Sequence, residues 1–264
     1  MRWLYVALSC FAASSMAYHS PTSVTIYGDN DYAPYSYDLD GEAKGVYVDI
    51  LRAAFKKMPD YRVNIVLMPW KRGLKMLEVG KGFALFPPYY YANQRPYIAP
   101  YSEPILAEEV AVFCNKGHEE GRELSNWPTG YKGLKIGVNE SFALGGDDFW
   151  QAVNQGDISV ESAKGNRANI LNLYKQRTDC YVNDRLSVLW EVKQLVQKGD
   201  ISSNWELTSG QSVSSEFGYL GFTNVQLENF PYKDDFILQF NRSLIQLKQD
   251  GTVKTIIRKY TLSE

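Results

Sequence analysis

Histidine and cysteine are scarce in this chain of 264 residues, which holds two of the first and three of the second. His19 and His118 stand far apart, so a zinc centre or a histidine-based catalytic triad, each of which gathers such side chains, is not expected. No apolar run approaches the ~20 residues that a membrane-spanning helix needs. Charge of one sign is also lacking: 28 lysines and arginines face 30 acidic residues, for a net charge of −2. That balance supports neither nucleic-acid binding nor a polybasic membrane patch. Repeats and low-complexity segments are absent. No metal, cofactor or nucleic-acid partner is therefore expected, and no enzyme activity.

What is present begins with a leader. Arg2 supplies a positive start, residues 4–13 an apolar core, and Ser15-Met16-Ala17 a small-residue exit. Together they read as a secretory signal peptide over residues 1–17, cleaved to start the mature chain at Tyr18 in the periplasm. Cys10, preceded by Ala7-Leu8-Ser9, is poorly placed for a lipid anchor. Cys114 and Cys180 remain after cleavage, each in an apolar run. Export permits a disulfide between them, but buried thiols can equally act as small hydrophobes, and sequence does not fix the distance a bridge requires.

Strand and helix signals then alternate. Val24 and Ile26 form a short β run that stops in Asp29-Asn30-Asp31-Tyr32; after Pro34 and a turn at Asp40-Gly41, Val46, Ile50, Leu51, Ala54, Phe55 and Met58 recur at helical spacing. Polar and aromatic groups thus collect where a first strand ends and its crossover helix begins, the rim on which open α/β sheets bind ligands. Strands are expected at 61–68 and 83–86 around a helix at 70–79. Residues 87–101, with four prolines and five tyrosines, read as an irregular rim. A strand at 108–116 has no helix before it. A second series follows, with strands at 134–138, 159–163 and 180–182, helices at 147–154, 168–176 and 186–196, a strand at 216–222, and two closing helices. Dense alternation split near residue 110 argues for two lobes with largely parallel sheets.

Several motifs carry a resemblance. They are Tyr32-Ala33-Pro34-Tyr35, Gly45 with Asp49, Trp70 with Leu74 and Leu77 before Gly80-Lys81, and Arg95 ahead of Tyr101-Ser102-Glu103-Pro104. The strand leading to Ser141 and the closing Asp250-Gly251-Thr252, Ile256 and Lys259-Tyr260 complete the set. In this order they resemble the bacterial extracellular solute-binding proteins of family 3, the periplasmic polar amino-acid binders of ABC transporters. The resemblance implies an α/β two-lobe periplasmic binding fold, a Venus flytrap with mostly parallel sheets and two crossing hinge strands. Lobe one would comprise residues 22–111 and 221–264, and lobe two residues 112–220.

It also implies site residues. Arg95 is the expected clamp for a ligand carboxylate, which a guanidinium meets at two points. Asp184, at a strand end, is the expected partner of an ammonium, although it could equally cap the helix that follows. Ser141 is expected at a helix N-terminus favouring an anion, Tyr32 as an aromatic lid, and Trp70 as a wall. One departure stands out: Pro87-Pro88-Tyr89-Tyr90-Tyr91 replaces the small hydroxyl residues usual before the arginine, which points to a reshaped site. The implied function is capture of a small polar solute, an amino acid or other small carboxylate, by a monomer that hands it to an ABC-type membrane permease. The alternatives are a ligand sensor for a receptor and an enzyme like the cyclic-acid dehydratases of this fold.

Overall fold

The structure is a computed structural model and describes residues 20–261 apart from 119, 209 and 210; the expected signal peptide, residues 1–17, lies outside the described residues. β1 (Thr22–Asp29) alternates buried and partly exposed residues, with Val24 and Ile26 inward. A small antiparallel sheet follows, built from β2 (Asp31–Tyr32), β3 (Ser36–Leu39) and β4 (Glu42–Lys44). Gly45, at φ +122°, then turns the chain so close to Tyr35 that a Cβ would lie 2.3 Å from the Tyr35 carbonyl oxygen. Only glycine tolerates both conditions. The amphipathic helix α1 (Val46–Phe55) buries Val46, Ile50, Leu51 and Ala54 as its spacing predicts.

β5 (Tyr61–Met68) pairs with β1 in parallel over its full length. After α2 (Trp70–Glu78) come β6 (Ala84–Phe86) and β7 (Ile98–Tyr101). The latter lies inside the stretch expected to be irregular, because pairing with a strand from the other end of the chain overrides a proline-rich composition. β8 (Leu106–Cys114) crosses into the second lobe. There lie β9 (Lys135–Asn139), α3 (Asp147–Asn154), β10 (Ser159–Ala163), α4 (Gly165–Tyr174), β11 (Cys180–Asp184) and α5 (Arg185–Gln197). β12 (Gln211–Gly218) returns, followed by β13 (Gly221–Thr223), α6 (Lys233–Gln249) and α7 (Thr252–Thr261).

Two five-stranded sheets result, ordered β5-β1-β6-β13-β7 and β10-β9-β11-β8-β12. The segment read as one strand at 216–222 is two strands belonging to different sheets, separated at Tyr219-Leu220. The crossings are tied together: Ile105 N donates to Gly218 O at 2.8 Å, Ser102 N to Leu220 O at 2.9 Å, and Leu220 N to Ser102 Oγ at 3.0 Å. The first lobe's core gathers α1, β1 and α6, with Phe236, Phe240 and Leu244 fully buried. The second lobe buries both faces of its sheet, Val110, Val112 and Val182 on one and Ala111, Phe113 and Tyr181 on the other. On the first face Cys114 and Cys180 stand directly opposite in antiparallel β8 and β11, and they are disulfide-bonded. At the last turn Gly251, at φ +79°, follows the end of α6, and Asp250 Oδ1 accepts from Thr252 N at the start of α7 at 2.9 Å.

Candidate functional site

Four strands aim their C-terminal ends at the gap between the lobes. β1 delivers Asp29, β6 leads into Pro87, β9 delivers Asn139 and β11 delivers Asp184. Between them lies a chamber of ≈30 Å³ walled by Asp29, Tyr32, Trp70, Tyr89, Arg95 and Phe142 with Pro87, Tyr91, Ala143 and Leu144. A second chamber of ≈40 Å³ shares Asp29, Trp70 and Phe142 and adds the charged groups Asp31, Lys71, Glu140 and Lys164. Each has room for a few waters at most.

Arg95 is 6% exposed. Its backbone is pinned by Arg95 N donating to Tyr91 O at 2.9 Å, and its guanidinium lies 5.7 Å from the Trp70 ring centroid and 5.6 Å from that of Tyr91. Nη2 donates to the Ser141 carbonyl at 3.0 Å. Among the described residues no carboxylate pairs with it. Burial lowers its pKa, and neighbouring tyrosines partly oppose that. A buried, uncompensated guanidinium is expensive unless an anion arrives.

Asp29 is the corresponding anion. It is 4% exposed, and burial with the nearby Asp31 charge pushes its pKa up to about 7, against the N–H groups of Asp31 and Asn30. Among the described residues no cation pairs with it. Cation and anion therefore line one aromatic chamber, a complement to a zwitterion. Trp70 adds an indole N–H that is buried without a hydrogen-bond partner.

Of the expected site residues, Arg95, Tyr32 and Trp70 share this chamber. Ser141 contributes its backbone carbonyl to Arg95 and lies in a turn ahead of α3 rather than at its N-cap, which is Gly146. Asp184 is not among the lining residues. Its Oδ1 accepts from Ser187 N at 2.8 Å and caps α5, while Oδ2 is buried without a hydrogen bond of ordinary geometry. Its neighbour is Glu108 on β8, into which Tyr32, Tyr47 and Tyr89 all donate, Tyr89 at 2.7 Å. Burial raises Glu108 to about 7 despite those three hydroxyls, with Glu216 opposite on β12 adding to the rise. Burial and the Glu108 charge raise Asp184 well above its ordinary range. The tyrosines that replace small hydroxyl residues before Arg95 thus divide their labour: Tyr89 and Tyr91 wall the chamber, and Tyr89 also joins the carboxylate cluster beneath it.

Asp29 is placed on the polar rim by the sequence but not named as a ligand contact, and Glu108 and Phe142 are not named for the site at all. Asp29 ends an alternating strand, which is a usable signal. Glu108 sits in a Glu-Glu pair that looks solvated, and Phe142 follows a turn with no periodic pattern.

PatH of Vibrio harveyi, whose name assigns it as an amino-acid ABC transporter-binding protein, is 19% identical over 98% of this chain and 96% of its own. An ancestral arginine-binding protein solved with arginine superposes with a TM-score of 0.71 at 18% identity, over 92% of this chain and 99% of that one. A histidine kinase sensor domain similar to periplasmic binding proteins gives 0.72 at 16%, over 91% and 96%. At such identities the two structures establish the shared fold. The model of the bacterial extracellular solute-binding proteins, family 3, matches residues 24–263, and the chain belongs to that family.

Proposed function

We propose that this protein captures a zwitterionic amino acid between its lobes in the periplasm and presents it to an ABC-type permease. The observation that carries the reading is the presence, in one aromatic chamber, of a buried guanidinium and a buried carboxyl group, Arg95 and Asp29, neither with an ion-pair partner among the described residues. Arg95 receives the ligand carboxylate bidentately. Asp29 receives the positive group, because it lines the chamber and Asp184 does not. Tyr32, Trp70 and Tyr91 enclose the ligand body. Family membership and the name of the Vibrio relative support transport as the purpose of the capture.

Calorimetry with L-arginine, L-glutamine and L-glutamate, and with the decarboxylated amine agmatine, tests the reading. Binding of an amino acid, with agmatine bound far more weakly, is the expected result. Equal affinity for agmatine and L-arginine, or no binding of any amino acid in a wider panel, would overturn it.

A further inference from the structure

Three consecutive residues of the second lobe reach across the gap into the first. Glu140 Oε1 accepts from Lys71 Nζ at 2.9 Å. The Ser141 carbonyl accepts from Arg95 Nη2 at 3.0 Å. The Phe142 ring meets Tyr32 edge-on at 5.9 Å and 85°, and Trp70 at 6.0 Å and 73°. A left-handed backbone at Ser141, φ +66°, turns its carbonyl toward the guanidinium, and Phe142 N donates to Asn139 O at 3.0 Å to close the turn. A non-glycine residue in that conformation carries a steric cost that the surrounding contacts must offset. Phe142 also stands between the two chambers, lining both.

We infer that this segment is an internal competitor for the binding site: its carbonyl takes the Arg95 donor and its phenyl ring takes the aromatic box that a ligand must use. The inference rests on the reading of the Arg95 chamber as the ligand site. A ligand carboxylate outcompetes the carbonyl because it brings a full negative charge and two oxygens to the buried guanidinium, an ion pair with two parallel hydrogen bonds where the carbonyl accepts one. The ring is displaced only if the ligand refills its place, so Phe142 sets selectivity as well as affinity: amino acids with a planar or large apolar side chain gain over small ones. The apparent dissociation constant is the intrinsic one divided by the fraction of molecules whose site the segment leaves free.

The test uses the full mature chain, unfolded in guanidinium with its disulfide intact and refolded to strip co-purified ligand. Small-angle scattering in buffer without amino acid should give a larger radius of gyration for Phe142→Ala than for wild type. Glu140→Gln, which removes only an exposed ion pair and leaves the core untouched, should shift it in the same direction by less. With L-arginine and L-glutamine as probes, Phe142→Ala should bind about tenfold tighter, the scale of two edge-on aromatic contacts, and should discriminate less against alanine. Weaker binding by Phe142→Ala would make the ring a ligand contact and overturn the competitor role, as would identical scattering of the three proteins. If neither probe binds wild type or variant while the scattering difference persists, the failure falls on the proposed ligand class and the closing role of the segment stands.

Discussion

Replacing Arg95 removes the one buried cation of the chamber. If its guanidinium is the partner of a ligand carboxylate, Arg95→Ala leaves that anion desolvated and unpaired, at a cost on the order of 2–5 kcal/mol. That corresponds to a loss of roughly 30-fold to several-thousand-fold in affinity. The structure favours the upper part of this range. Arg95 is nearly inaccessible, flanked on two sides by Trp70 and Tyr91, and among the described residues its hydrogen bond across the gap is to a neutral carbonyl. Arg95→Lys should recover only part of the loss, because an ammonium cannot supply the planar two-point contact. The fold should not suffer in step: no described carboxylate is left unpaired by the change, so the thermal midpoint should move by only a few degrees. Calorimetry of wild type and both variants, with circular dichroism to show intact folding, is the assay. Unchanged affinity in folded Arg95→Ala would refute the carboxylate clamp.

Three further expectations follow from the same geometry. Asp29 must be ionised to pair with a ligand cation, so wild-type affinity should fall about tenfold per pH unit below its pKa of about 7, whereas Asp29→Asn should bind weakly with no such slope; calorimetry across about pH 5 to 8 checks both. Asp29 and Glu108 hold their protons to about 7 in the fold but lose them near pH 4 when unfolded. The native state therefore binds more protons between about pH 4 and 7, and stability falls as pH rises through that window, by about 1.4 kcal/mol per unit per group. Denaturant titrations should show the decline, and Glu108→Gln should flatten it. The Cys114–Cys180 bridge closes a 66-residue separation, which in the chain-entropy account is worth about 4 kcal/mol; guanidinium melts with and without reductant should differ on that scale.

Much of the first lobe was legible because its signals are local. Alternation in β1 and β5, the 3.6-residue period of α1 and α6, and the Asp-Gly stop at residue 250 each decide structure within one turn or one strand. Tyr32, Trp70 and Arg95 fell into one chamber because the motifs around them end strands or open helices, which is where an α/β sheet collects its ligands. The remainder depends on long-range pairing. Whether 216–222 was one strand or two turned on which sheet each half joined, and pairing of Cys114 with Cys180 on the register of β8 against β11. Glu108 is buried only because three tyrosines from distant positions converge on it. Asp184 illustrates a residue type whose two roles look alike in sequence: a strand-end aspartate can hold a ligand or cap a helix, and here the capping bond is made.

In the proposed complex a ligand carboxylate and a ligand cation are held together by Arg95 and Asp29. Native mass spectrometry of protein purified from the periplasm, followed by release and identification of any small molecule that travels with it, tests this most directly. The bound compound should carry both an ionised carboxylate and a positive group, be present on wild type and be lost from Arg95→Ala. A co-purified ligand with no carboxylate, or one retained equally by Arg95→Ala, would contradict it.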